Sequence, residues 1–318
     1  MYLGLDFLVS SDLKPYLVEV NVGLPGGAQE QDLTHRVYLG KPSNVFERIE
    51  SLSQRISGTS FRNYLHQLPF IESLKAFKLW LDGQGPLPES FHPGLRLEDK
   101  WVQYTILSSH IPMPETMVFE PQKQTEALQF LERKHRLVLK RRLGRGGRGF
   151  MLISTPAELM GLAASGSSLY GALLQEHIAS KVGPYTFSLR TVAFAGEFIC
   201  MYANLAKRAY SNHGVLAYVA EGDSFGLSAE EFETVHFNQK SWESMIWFGE
   251  NEPAYMKHNL YEDEVARAAL LLPLSVLSEI KAFSIRVERL YEGLDLAKLP
   301  EAWFEKAAPP RARPPKTH

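Results

Sequence analysis

Asp6, Glu19 and Asn21 place two carboxylates and an amide close together in a chain that otherwise begins with apolar runs. Asp6 lies in YLGLDFLV (2–9), and Glu19 and Asn21 lie in YLVEVNV after the polar stretch SSDLKP. Two β-like runs around a polar turn read as a hairpin. Asp6 and Glu19 are thirteen positions apart, a separation that a short-turned hairpin folds back side by side. Positions 19 and 21 share a face by the period of two. Hard oxygen donors converging from two rigid strands suit Mg²⁺. The plainer alternative is a set of edge-strand charges facing water.

The second chemical signal is Lys140-Arg-Arg-Leu-Gly144-Arg-Gly146-Gly147-Arg-Gly149. Gly144, Gly146 and Gly149 satisfy a dinucleotide fingerprint on spacing, but that motif requires a helix directly afterwards. FMLIS (150–154) reads as a strand, so a glycine flap between two antiparallel strands is the better geometry. Such a flap lets backbone N–H groups close over phosphate oxygens, with Lys140 as a point charge. A solvated basic hairpin, or an RGG-like contact with RNA, is the alternative on this segment alone.

Taken in order, these and other segments resemble the ATP-grasp superfamily of carboxylate–amine ligases. LEDKWVQYTILSSHIPMPETMVF is similar to the family's first nucleotide-binding stretch and places Lys100 in it. RLVLKRRLGRGGRGFMLI resembles the second, with Lys140 as the strand lysine and Gly144, Gly146 and Gly147 in the flap. LLQEHI resembles the hinge against adenine, giving Gln175, Glu176, His177 and Ile178. YTFSLRTVAFAGEF and AKRAYSNHG resemble the phosphate-facing segments, with Arg190 and Arg208 as the catalytic arginines.

In that family the metal strands come late in the chain; here Gly4-Leu-Asp6 and Glu19-Val-Asn21 come first. The resemblance therefore implies a circularly permuted ATP-grasp fold: two α+β subdomains with antiparallel sheets clasping ATP, plus a helical insertion. Residues 1–29 would be the metal-binding strand pair of the C-terminal subdomain, and 30–97 a mostly helical connection. Residues 98–179 would form the nucleotide-binding subdomain, 180–300 the remainder of the C-terminal one, and 301–318 a flexible tail. The family's substrate-side domain has no counterpart, Gly4 stands where several ligases carry an arginine, and no ribose carboxylate is evident in SKVGPYT.

The implied cofactors are ATP and Mg²⁺, one or two ions, with Mn²⁺ as a substitute. The implied reaction activates a carboxylate as an acyl-phosphate for an amine-type nucleophile. A phosphotransferase or a non-catalytic nucleotide-binding module on the same scaffold is the alternative. The carboxylate would be a small molecule or a peptide. Neither nucleic acid nor membrane is an expected partner, and a homodimer is left open.

These residues must be held by a sizeable framework. The chain has 318 residues, 34 Lys+Arg against 36 Asp+Glu and one cysteine. That is enough chain for a substantial core, and its near-neutral charge argues against an obligate polyanion binder. One cysteine excludes an intramolecular disulfide framework. The start lacks the pattern of a signal peptide, so a cytoplasmic location is expected.

Spacing predicts helices over 44–57, about 60–81, 98–110, 122–134 and 155–164, with a capping box from Thr155 to Glu158. A long helix over about 261–292, kinked at Pro273, closes the chain. The Pro/Gly-rich stretch 83–94 reads as a linker. YEGLDLAK (291–298) echoes YLGLDFLV, as a permutation through duplication would leave. His110, His177, His213 and His236 show no metal-ligand spacing. Cys200 reads as a core thiol, and Trp242 to Trp247 as core or a groove wall.

Overall fold

A computed structural model describes residues 1–23, 25–81, 85–86, 91–143, 150–164, 172–182, 185–206, 215–222 and 269–302. The hairpin forms as its pattern predicts. β1 (Leu3–Val9) pairs antiparallel with β2 (Pro15–Val22), and Asp6 stands opposite Glu19. The turn between them closes through Ser10 and Lys14 backbones, with Leu13 at φ 63°.

This hairpin is built into a larger sheet whose other strands come much later. β7 (Lys181–Val182), β8 (Tyr185–Phe194), β9 (Glu197–Ala206), β10 (Val215–Gly222) and β11 (Ala269–Pro273) complete it in the order β11-β10-β9-β8-β1-β2, with β7 also on β8. Within the described strands every pairing is antiparallel except β10 with β11.

A second, four-stranded antiparallel sheet consists of β3 (Thr116–Phe119), β6 (Ala172–Glu176), β4 (Leu137–Arg141) and β5 (Met151–Ile153), in that order. Helices α6 (Gln124–Lys134) and α7 (Pro156–Ala164) cover it through Ala127, Phe130, Leu131 and Leu159. The capping box at Thr155 and Glu158 is present: the Glu158 carboxylate accepts from Ser154 and Thr155 N–H, and Glu158 N–H donates to the Thr155 hydroxyl. The fold is thus α+β, as expected, with one antiparallel sheet and one that is antiparallel apart from the β10–β11 pair.

Helices α1 (Ala28–Leu39), α2 (Val45–Ser57), α3 (Phe61–Gln67) and α4 (Ile71–Leu81) follow the hairpin. One helix was expected over about 60–81, but two form. Leu68 is extended at ψ 124°, the conformation a residue before proline favours, and Pro69 has no N–H to continue the ladder. These helices share the core of the larger sheet: Ile49, Leu52, Phe61, Leu74 and Phe77 pack in one cluster with Leu3, Leu5 and Phe7.

Of the stretch read as a linker over 83–94, residues 85–86 and 91–92 are described and form no helix or strand, and Pro93 opens a 3-10 turn, Pro93–Glu98, with Leu95 and Leu97 fully buried beyond the stretch. One further expectation is corrected. The long C-terminal helix starts only at Leu274, as α8 (Leu274–Glu292). Before it, Ala269–Pro273 is strand β11, because an apolar run beside β10 can bury both faces. Pro273 stands at the helix entry, where a missing N–H costs nothing.

Cys200 is buried in β9, consistent with a core thiol. Among the described residues, no helix is long and apolar enough to cross a membrane. His213, His236, Trp242, Trp247 and most of the tail lie outside the described residues.

Candidate nucleotide and metal site

Four neighbouring strands, from the edge strand β2 inward, align a polar row. Glu19 on β2 is opposite Asp6 on β1, which is opposite Arg190 on β8, which is opposite Tyr202 on β9. Direct cross-strand partners face the same side of a sheet, so this register brings one acid, a second acid and a guanidinium together. Arg190 grips Asp6 with two nitrogens, Nε on Oδ1 and Nη2 on Oδ2, the latter at 2.8 Å. Asn21, two residues beyond Glu19, donates Nδ2 to Asp6 Oδ2 at 3.4 Å.

A β-bulge sets this register. Asp6 pairs with Glu19 but Phe7 pairs with Leu17, leaving Val18 as the extra residue. The Val18 carbonyl accepts Lys140 Nζ at 3.1 Å, and Lys100 Nζ lies 3.2 Å from Glu19 Oε1. Lys140 comes from β4, and Lys100 from the first turn of α5 (Lys100–Leu107). Both lysines therefore reach the acidic row from outside the sheet that carries it.

Electrostatics separates the two acids. Burial pushes the Asp6 carboxyl up, and Arg190 only partly offsets this. For Glu19 burial also acts upward, but Lys100, Lys140 and Arg190 outweigh it, and the net shift is downward. Burial drives Lys140 down to about 8, with Glu19 opposing and Lys100 reinforcing that shift.

The Lys140 shift has a sign that can be checked. Above about pH 8 the free protein loses the Lys140 proton, which a phosphate bound there would have to restore. The dissociation constant of Mg-ATP is therefore expected to rise as pH climbs past about 8, while Lys140→Arg is expected to flatten that rise. Fluorescence titration with a nucleotide analogue from pH 7 to pH 9.5 measures both. Unfolding free energy should move oppositely: between about 8 and the unfolded value near 10.4, the native state binds fewer protons, so this group's contribution rises with pH.

The loop after β2 shapes one wall of the site. Gly4 lies under Pro25: a Cβ on Gly4 would sit 2.6 Å from Pro25 Cβ and 3.3 Å from Arg190 Nη1. That crowding accounts for glycine where a larger residue would collide with the turn. Gly27 has φ +141°, and its N–H donates to Glu30 Oε2 at 2.6 Å.

The hinge residues serve the smaller sheet. Gln175 Nε2 donates to the Thr116 hydroxyl at 2.8 Å, and Glu176 Oε2 pairs with Lys134 at 3.1 Å and accepts from Glu115 N–H. His177 N–H donates to Arg136 O, burial lowers its imidazole pKa, and Ile178 is buried. The side chains of Gln175 and Glu176 thus bond to β3 and to Lys134 at the end of α6. Gly144, Gly146, Gly147 and Arg208 lie outside the described residues.

Sequence reading missed the contacts that hold α5 in place. Asp99 is fully buried, caps α5 through Trp101 N–H at 2.9 Å, and receives Arg142 Nε at 2.9 Å and 3.0 Å. An Asp immediately before a helix was a legible cap signal; its pairing with Arg142 was not. Gln103 was also missed.

As a metal site the acidic row has a suitable donor set. Asp6, Glu19 and Asn21 offer two carboxylates and an amide oxygen, all hard ligands that leave room for phosphate and water around Mg²⁺. Among the described residues no group of three or more His, Cys, Asp or Glu could hold a metal, so this mixed set is the candidate. Its acids are paired here with Lys100 and Arg190, which a bound cation would have to share or replace.

No protein-family model matches the chain, and no curated protein matches it. Among solved structures, a putative gamma-glutamylcysteine synthetase from Methylobacillus flagellatus KT aligns over 65% of this chain and 75% of its own, with TM-score 0.41 and 10% identity. The ATP-grasp ligase PsnB, solved with a phosphomimetic variant of its minimal precursor, Mg and ADP, aligns over 57% of this chain and 53% of its own. Its TM-score is 0.28 and its identity 12%. Both likenesses concern the fold alone and give no residue here a role. The structure itself shows two sheets, with Lys140 of the smaller one and Lys100 of α5 reaching the acidic row of the larger.

Proposed function

We propose that this chain is an ATP-dependent ligase that activates a carboxylate as an acyl-phosphate for attack by an amine or similar nucleophile. The observation that carries the reading is the convergence of Lys100 and Lys140 on the Glu19–Asp6–Arg190 row. Cations from one side and hard acids from the other are what a nucleoside triphosphate and its counter-ion need.

In this reading a substrate carboxylate oxygen attacks the γ-phosphorus and the bond to ADP breaks. The nucleophile then adds to the acyl carbon, loses its proton and expels inorganic phosphate. Lys100 and Lys140 bind phosphate oxygens. Arg190, oriented by Asp6, stabilises charge on the transferred group. Asp6, Glu19 and Asn21 would hold Mg²⁺, which when bound neutralises phosphate charge. Gln175 to Ile178 line the adenine side.

The permuted order belongs to the same proposal. Its support is that the N-terminal hairpin forms the end of the sheet whose other strands run from 181 to 273. On this view 98–179 binds nucleotide, 1–29 joins 180–300, 30–97 connects the two, and 301–318 is a tail.

The test incubates the protein with Mg-ATP and a fractionated extract of metabolites or peptides, follows ADP release, and weighs the product. A condensed product with ADP and phosphate is expected. A stable phosphorylated product would favour the phosphotransferase instead, and absence of Mg²⁺-dependent ATP binding would sink both.

A further inference from the structure

β2 is the outer strand of its sheet, and along its free edge no strand pairs with it in the described residues; the partners there come from loops, a helix and the side chain of Lys140. Leu17 N–H donates to Pro112 O at 2.9 Å, the Val18 carbonyl takes Lys140, and Val22 N–H donates to Glu98 Oε1 at 3.2 Å. Between these, Val20 gives both backbone groups to one side chain. Its N–H donates to Gln103 Oε1 at 3.0 Å, and its carbonyl accepts from Gln103 Nε2 at 2.7 Å. Nε2 also donates to Leu97 O at 2.8 Å. Gln103, 1% exposed, thus takes the place of a neighbouring strand at the residue between Glu19 and Asn21.

Gln103 is three residues beyond Lys100 on α5, so the two side chains share a helix face. One grips the Glu19 side chain and the other the next residue's backbone. The start of α5 is tied to the end of β4: Lys100 N–H donates to Arg142 O at 3.0 Å, beside the Asp99–Arg142 pair. Helix α5, which itself carries Lys100, is therefore the splint between β4 with Lys140 and β2 with Glu19.

We propose that Gln103 is a positioning residue for the metal and phosphate groups, an inference that rests on the ATP-dependent reading above. When phosphate draws Lys100 and a cation draws Glu19, their ion pair must open. The neutral amide of Gln103 competes for neither ligand, so its hold on Val20 persists and fixes α5 against β2. Without it, Glu19 and Asn21 would keep their chemistry but lose their distance from Lys100, and small misplacements weigh heavily on such sites.

The test uses the full chain, Gln103→Met, Gln103→Glu and adenylyl imidodiphosphate as the probe. Calorimetry with and without Mg²⁺ separates this inference from the reading beneath it, because wild type that binds no probe with Mg²⁺ refutes that reading. Given wild-type binding, both variants are expected to lose about tenfold in Mg²⁺-dependent affinity while metal-free binding is unchanged. Gln103→Glu is expected to be at least as damaging, since it sets a carboxylate oxygen against the Val20 and Leu97 carbonyls. Folded variants with wild-type Mg²⁺ dependence, or with equal losses in both titrations, would overturn the proposal. If neither variant folds, amide exchange in wild type decides: the Val20 N–H is expected to stay protected when Mg²⁺ and probe bind, and faster exchange would refute a persistent hold.

Discussion

Glu19→Gln is expected to lower Mg-ATP-dependent turnover at least about 100-fold while the protein remains folded. The carboxamide keeps the shape of the side chain, and its oxygen can still accept from Lys100 at the present 3.2 Å. What it removes is the charge, which Lys100, Lys140 and Arg190 hold in place by keeping Glu19 ionised. The stability loss should be about 1.5 kcal/mol, the scale of a hydrogen bond to a charged group. Asp6→Asn is a poorer probe, because it also leaves Arg190 without its paired anion in a largely buried setting. That cost is about 3 kcal/mol, and lost turnover would then mix chemistry with unfolding. Steady-state turnover with Mg-ATP and the identified substrate, beside an unfolding curve for each variant, separates the two. Turnover of Glu19→Gln within threefold of wild type would remove Glu19 from the metal site.

Local pattern made the hairpin legible, and with it the acidic row. Asp6 and Glu19 fall opposite each other because the turn length and the period of two leave few other registers. The bulge at Val18 was not legible: Val18, Val20 and Val22 alternate regularly with Glu19 and Asn21 in the sequence, and only the structure shows Leu17 and Val20 both buried, three apart. Arg190 was placed by resemblance, but nothing local says that β8 would lie beside β1. That pairing joins residues 184 positions apart, and tertiary packing decides it. The same limit hid Gln103, since a glutamine inside a helical pattern reads as solvent-facing until the neighbouring strand edge is known. Composition misled at 269–273, where ALLLP looked like helix. Beside β10 the same apolar run is a strand, and Pro273 ends it without loss of a bond.

The wall of the site supplies the other large effect. Gly27→Ala is expected to destabilise the protein by about 3 kcal/mol or more, from two separable causes. Gly27 sits at φ +141° and ψ −47°, a conformation that costs an L-residue about 1–3 kcal/mol. A Cβ there would also lie 2.5 Å from Val192 Cγ2, and overpacking of this kind costs about 1–3 kcal/mol. The second cause can be removed by Val192→Ala, the first cannot. The double variant Gly27→Ala with Val192→Ala should therefore be more stable than the sum of the two single losses, by about 1–2 kcal/mol, yet less stable than Val192→Ala alone. Urea unfolding of the four proteins measures this coupling. Additive losses would mean the turn moves away from β8 without cost, and Arg190, which reaches the Gly26 carbonyl at 3.5 Å, would then not depend on the turn for its place. If the coupling is found, the glycines after β2 serve the acidic row directly: they let a loop lie flat on Gly4 and Val192, beside the guanidinium that holds Asp6.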